Sequence, residues 1–216
     1  MRARLLAVVL AMIATVAVAR SHHERSEGGG RFDYYLMALS WAPSYCDEHP
    51  GDRDECGRKG FGFVLHGLWP QNRDGSWPQH CENGVQPDAA TVDRTLAFMP
   101  SRRLIEHEWQ THGSCSGLDP RTYFERADRA FAGVKIPDAL KTPASSPSMS
   151  ADQIIDAFAA SNPGLDGRMM TVQCHDGSEL AEVRVCLDKD SLMPRPCGGR
   201  VRNACRKGEL RIPAVR

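Results

Sequence analysis

Residues 32–41 read Phe-Asp-Tyr-Tyr-Leu-Met-Ala-Leu-Ser-Trp, an aromatic-rich run of strand length without a turn residue. A second short apolar run, Phe61 to His66 (FGFVLH), is ended by Gly67 and Pro70. At the other end of the chain, Met170 to Cys174 and Leu180 to Leu187 read as paired strands joined by the turn His175-Asp176-Gly177. Helical patterns lie between. Asp88 to Met99 spaces Val92, Leu96 and Met99 on one face, and Ser101 can cap a helix carrying Leu104, Ile105 and Glu108. Asp119-Pro120 opens a third helix with Tyr123, Phe124, Ala127 and Phe131 on one side, and Ser150 starts a fourth that runs through Phe158. Residues 42–60 and 71–87 are loop by composition, and Pro143 to Pro147 is a linker. Strands at both ends around central helices predict a single α+β domain, an antiparallel sheet core with several helices.

The 216 residues carry 27 basic and 27 acidic side chains, so the chain does not bind partners by bulk attraction to nucleic acid. Arg2 and Arg4 precede an apolar run from Leu5 to Val18 that closes on Ala17-Val18-Ala19. That run is short for crossing roughly 30 Å of hydrocarbon and reads as a cleaved signal peptide, residues 1–19. Its removal leaves 25 basic against 27 acidic residues, a net −2. The mature chain is then expected to be secreted or periplasmic, with no membrane association after cleavage. Residues 20–31 (RSHHERSEGGGR) read as a flexible leader, and residues 32–216 as the domain. All eight cysteines (Cys46, Cys56, Cys81, Cys115, Cys174, Cys186, Cys197 and Cys205) follow the leader. Export favours disulfides, and no C-x-x-C pair supports a zinc site. A loop stapled by Cys46–Cys56 fits the first two, while composition does not give the pairing as a whole.

Two histidine-bearing segments can do chemistry. In Phe63-Val64-Leu65-His66-Gly67-Leu68-Trp69-Pro70 the histidine ends an apolar strand. Taken alone, it reads as a core histidine bonded to backbone. The other segment is Leu104-Ile105-Glu106-His107-Glu108-Trp109-Gln110-Thr111-His112-Gly113-Ser114-Cys115. On a helix Glu108 and His112, four apart, share a face, and their bland reading is a surface ion pair. His107 and His112, five apart, point about 140° away from each other on a regular helix and do not clamp an ion together. The likeness of this segment to the zinc-protease H-E-x-x-H therefore fails on geometry. Two imidazoles and a carboxylate (His66, His112, Glu108) suit concerted base and acid catalysis of hydroxyl attack on phosphorus, with no metal and no cofactor. In RNA the 2′-OH already lies beside the phosphate, and DNA lacks it.

His66-Gly67-Leu68-Trp69-Pro70 and His107-Glu108-Trp109-x-x-His112-Gly113-x-Cys115 resemble the two active-site motifs of the ribonuclease T2 family. Tyr34-Tyr35-Leu36-x-x-Leu39-Ser40-Trp41-x-Pro43-x-Tyr45-Cys46 is similar to that family's first core strand, and the likeness covers about residues 32–212. Among members it is most similar to the bacterial, periplasmic type. The resemblance implies a ribonuclease T2-like fold and an endoribonuclease with little base specificity. Such an enzyme cleaves by transesterification to a 2′,3′-cyclic phosphate and a free 5′-OH. It implies His112 as base on the 2′-OH, His66 as acid on the 5′-oxygen and Glu108 as their assistant. His107 would contact phosphate, and Trp69 would bind substrate by stacking on a base, although Trp69 fits core packing beside Pro70 equally well. The resemblance further implies Cys81–Cys115, Cys174–Cys205 and Cys186–Cys197, leaving Cys46–Cys56. Its implied partner is RNA, bound by a monomer. Thr111 stands where the family often has Lys or Arg, Leu104 where it often has an aromatic residue, and Gln71 where Asp or another polar residue is common. The rival readings are a T2-fold binding protein of weak activity and a disulfide-stapled metallohydrolase.

Overall fold

Tyr34–Trp41 forms β1, the strand on which the molecule is assembled, and every residue of it except Ser40 is buried. A computed structural model describes residues 30–215 apart from Arg58, Glu82, Asn83 and Lys207. The expected signal peptide and residues 20–29 of the leader lie outside the described residues. Gly30, which composition assigns to the leader, is tied down: its N–H donates to the Cys115 carbonyl at 2.8 Å, and its own carbonyl accepts from Lys189 Nζ.

β1 pairs antiparallel with β2 (Phe63–Gln71) on one side and with β5 (Glu179–Asp188) on the other. β4 (Met170–His175) pairs antiparallel with β5, while β3 (Ser148–Ser150) and β6 (Glu209–Arg211) complete a six-stranded sheet. The sheet departs from the purely antiparallel expectation at one place, where β6 runs parallel to β5 through Glu179 and Arg211. The β4–β5 turn takes positive φ at both Asp176 (46°) and Gly177 (73°), the backbone of the hairpin turn that twists with its strands.

The helices are α1 (Ala42–Glu48), α2 (Arg53–Cys56), α3 (Ala89–Thr95), α4 (Arg102–Thr111), α5 (Pro120–Ala132) and α6 (Ala151–Ser161). Asp88, Ser101, Asp119 and Ser150 each accept a hydrogen bond from a backbone N–H in the first turn of the helix that follows. Residues 42–60, read from composition as loop, hold α1 and α2 instead. Pro43 suits a first helical turn, where its missing N–H costs nothing, and Asp52 caps α2 through Asp54 and Glu55. The disulfide Cys46–Cys56 joins these two helices.

The strand alternation separates two environments. Tyr35, Met37, Leu39 and Trp41 point into the main core with Ile105, Trp109, Tyr123, Phe124 and Phe158 from the helices. Tyr34 and Leu36 point the other way, into a smaller cluster with Cys186, Trp69, Cys197 and Val201. Tyr123 fixes α5 to the strand by donating to the Leu68 carbonyl at 2.9 Å. Three more disulfides, Cys81–Cys115, Cys174–Cys205 and Cys186–Cys197, complete the framework.

Candidate active site

β2 does not stop at Gly67 and Pro70 as the sequence suggests; it runs through both to Gln71. It is the edge strand of the sheet, so Pro70 needs no second ladder partner. Its pairing with β1 slips at one point: Ala38 lies opposite Gly67 and Leu39 opposite Leu65. His66 is therefore the extra residue of a β-bulge. His66 keeps the alternation of Val64, away from the main core that takes Phe63 and Leu65, and beyond the bulge Leu68 returns to that core. The extra residue brings Trp69 onto the same face as His66, where Trp69 stands opposite Leu36, Arg184 opposite Ala38 and Glu182 opposite Ser40.

On that face His66 Nδ1 meets Glu182 Oε1 at 2.5 Å. Glu182 is buried, and its other oxygen accepts from Arg184 Nε at 2.7 Å. The carboxylate is acceptor-only when ionised, so it accepts a hydrogen bond from Nδ1–H and leaves His66 Nε2 facing Glu108 Oε1 at 3.6 Å. Burial by itself would lower the His66 pKa. The hydrogen bond to Glu182 and the charges of Glu108 and Glu182 outweigh it, so the pKa lies above the usual histidine value. Sequence reasoning missed Glu182, because its partner is 116 positions away and nothing local marks it.

The second segment comes from α4. Glu108 is buried, and its Oε2 accepts from Trp69 Nε1 at 2.7 Å. Burial pushes its carboxyl up to about 7, against the opposing pull of His66 and the Trp69 N–H. It is not the exposed partner of an ion pair with His112. Gly67 makes the Trp69–Glu108 contact possible, since a Cβ there would lie 2.1 Å from Glu108 Oε2 and 2.2 Å from Trp69 Nε1.

His112 lies one residue past the last of α4, with φ −121°, and its N–H still donates to the Glu108 carbonyl at 3.0 Å. Its ring sits 5.2 Å from that of Trp69, and the His66 ring lies 5.2 Å from Trp69 as well. Trp69 thus neighbours both imidazoles and is hydrogen-bonded to the carboxylate. Burial, then the positive charges of His66, His107 and His80, push the His112 pKa down to about 4. His107 is exposed on α4, close enough to His66 and His80 for their charges to reinforce the lowering of its pKa that partial burial begins. Thr111 is buried, and no cation enters the site from that position. Leu104 packs against the core, and Gln71 is buried with its amide donating to the Pro70 carbonyl. Cys81–Cys115 links the loop beyond β2 to the turn that follows His112, and so ties the two histidine segments together.

An imidazole hydrogen-bonded to a carboxylate, a second imidazole of lowered pKa and a buried carboxyl gather around one tryptophan, an arrangement that can accept and donate protons. Among the described residues, no group of three or more His, Cys, Asp or Glu side chains is arranged to hold a metal ion.

The model of the ribonuclease T2 family matches residues 32–197, which include all of these side chains. The chain belongs to the ribonuclease T2 family. A ribonuclease of Aeromonas hydrophila is 42% identical over 120 residues, covering 56% of this chain and 54% of that protein. Ribonuclease DdI of Dictyostelium discoideum is 30% identical over 231 aligned positions, covering 98% of this chain and 99% of its own. The T2 fold extends to solved structures of low identity. RNase NT, crystallised with 5′-AMP, superposes with a TM-score of 0.65 at 24% identity, over 85% of this chain and 98% of its own. An RNase-related protein from Calystegia sepium gives 0.68 at 23%, over 86% and 98%. His66 and Trp69 of the first motif lie with Glu182 of β5 on the sheet face away from the main core, and Glu108 and His112 of the second motif reach them from α4 and the residue after it.

Proposed function

We infer that this chain is an endoribonuclease that cleaves RNA by metal-independent transesterification, with His112 and His66 as its base and acid. The observation that carries the reading is the opposite displacement of two imidazoles set around Trp69: His112 is driven down to about 4, and His66 is held above its ordinary value. Between the lowered His112 ionisation and the raised His66 ionisation the first is an empty base and the second a loaded acid, the two states that a concerted proton shuttle requires.

His112 takes the proton from the 2′-OH as that oxygen attacks the adjacent phosphorus. The P–O5′ bond breaks, and His66 gives its Nε2 proton to the departing 5′-oxygen. The products are a 2′,3′-cyclic phosphate and a free 5′-OH. In the slower second step the roles reverse: His66 draws a proton from water as its oxygen attacks phosphorus, the P–O2′ bond breaks, and His112 returns a proton to the 2′-oxygen, which leaves a 3′-phosphate. Glu108 faces the Nε2 of His66 and holds Trp69 by its N–H, so it stabilises the imidazolium and fixes the ring that neighbours both imidazoles. His107 offers a contact to phosphate from the exposed side of α4, and Trp69 presents a ring to a base, a sequence-tolerant mode of binding.

Four disulfides in one chain suit an oxidising compartment. With the leader pattern of residues 1–19, they support a secreted or periplasmic protein. The test is His66→Ala and His112→Ala, each assayed on a dinucleoside monophosphate with folding followed by thermal melting. Each variant should lose activity by orders of magnitude and keep a wild-type-like melting transition. Near-normal cleavage by either would defeat the assignment.

A further inference from the structure

Trp69 and His112 form part of the lining of a cavity of about 320 Å³, within the range of about 300–1,000 Å³ usual for ligand pockets. Arg184, Arg200 and Arg202 line it too, and no carboxylate does. In a chain whose charges cancel overall, three guanidinium groups at one cavity are a local concentration of positive charge. Arg184 is already engaged with Glu182 and lies over the Trp69 ring, 5.1 Å from its centroid. Arg200 and Arg202 are exposed, and the charge of Arg200 helps to lower the pKa of the exposed Asp74 carboxyl after its bonds from Ser76. Arg202 Nε donates to the Gly199 carbonyl, which leaves its terminal nitrogens for other acceptors.

The segment that carries these two arginines is built to stay in place. It lies between Cys197, bonded to Cys186 of β5, and Cys205, bonded to Cys174 of β4. Val172 donates its N–H to Asn203 Oδ1 at 2.8 Å and accepts from the Ala204 N–H at 3.0 Å. Gln173 donates to the Arg202 carbonyl at 2.9 Å. On the facing loop Gly75 has φ +85°, and a Cβ there would lie 2.3 Å from Arg200 Cδ. Gly75 thus gives the Arg200 stem its room. Ordering these side chains in advance reduces the entropy lost when a ligand arrives.

We propose that Arg200 and Arg202 form a phosphate subsite that holds a backbone phosphate of RNA next to the scissile one. The proposal rests on the reading of His112 and His66 as the reacting pair. A guanidinium fork matches phosphate oxygens two at a time, so this segment grips the polymer without reading its sequence. The subsite makes oligomers better substrates than dinucleotides, which carry only the scissile phosphate.

The test compares kcat/KM for a dinucleoside monophosphate and for an oligoribonucleotide, using wild type and Arg200→Ala/Arg202→Ala. Loss of charge-assisted hydrogen bonds should lower the oligomer value about ten- to hundredfold and leave the dinucleotide value within about twofold. The salt dependence of oligomer binding should flatten by about 0.7 in the log–log slope for one lost phosphate contact. Arg129→Ala, on the exposed side of α5, should change none of these. Equal losses on both substrates, or an unchanged oligomer value and salt slope, would overturn the subsite. If wild type cleaves neither substrate, the reading of the two histidines fails. Binding of a 2′-deoxy oligomer, measured by fluorescence anisotropy, still decides the subsite: weaker binding by the double variant supports it, and equal binding rejects it.

Discussion

Replacing Glu182 by Gln keeps the shape of the His66 contact and removes its charge. The amide oxygen still accepts from Nδ1–H, so the ring orientation survives. What disappears is the charge assistance across the 2.5 Å hydrogen bond. A hydrogen bond to a charged group contributes about 1.5–3 kcal/mol and a neutral one about 0.5–1.5, so the imidazolium loses about 1–1.5 kcal/mol of stabilisation. That corresponds to about one pH unit on the His66 ionisation. In wild type, kcat/KM should rise through an acid limb near pH 4, where His112 loses its proton, and fall through a basic limb above 6.5, where His66 loses its own. In Glu182→Gln the basic limb should move down by about one pH unit, while the acid limb stays. Above the limb the variant should be about tenfold slower, and below it nearly normal. The assay is the pH profile of dinucleoside monophosphate cleavage. A basic limb that stays in place while the rate falls equally at every pH would refute the reasoning and reduce Glu182 to a structural residue.

Two further outcomes follow from the same geometry. Gly67→Ala places a methyl group where Glu108 and Trp69 meet, so activity should fall by at least about a hundredfold, with a stability loss of about 1–3 kcal/mol by melting. Wild-type activity in that variant would show that the contact is dispensable. Glu108→Gln should trade activity for stability. The folded carboxyl is raised above its unfolded value to about 7, so the native state holds the extra proton and loses stability as pH rises from about 4.5 through 7. Urea denaturation should find the variant up to about 2–3 kcal/mol more stable at pH 8 and little different at pH 4, and a pH-independent difference would contradict the burial argument.

The local features of this fold are legible in the chain. Asp88, Ser101, Asp119 and Ser150 announce helix starts because the capping oxygen and the N–H it receives lie within three residues. His175-Asp176-Gly177 announces its hairpin for the same reason. The site residues His66, Glu108 and His112 stand out by type, but the means by which they meet do not. The bulge at His66 exists only in the register against β1, and alternation continued from Leu65 would send Trp69 into the core and Leu68 out of it. Glu182 looks like any polar residue in a half-buried strand until β5 is laid beside β1. Gly67 and Pro70 read as strand breakers because a sequence does not tell an edge strand, which tolerates proline, from a central one. The disulfide partners were likewise beyond composition, since pairing is a property of distant backbone positions.

The central claim is that this protein cuts RNA through the 2′-OH with two histidines and without a metal. It is tested most directly by incubating the purified protein with RNA and DNA of the same sequence in excess EDTA and identifying the RNA ends by mass spectrometry. RNA should be cleaved to fragments ending in 2′,3′-cyclic phosphate, with DNA intact. An absence of RNA cleavage would point to a binding protein, and cleavage abolished by EDTA or extended to DNA would contradict the mechanism.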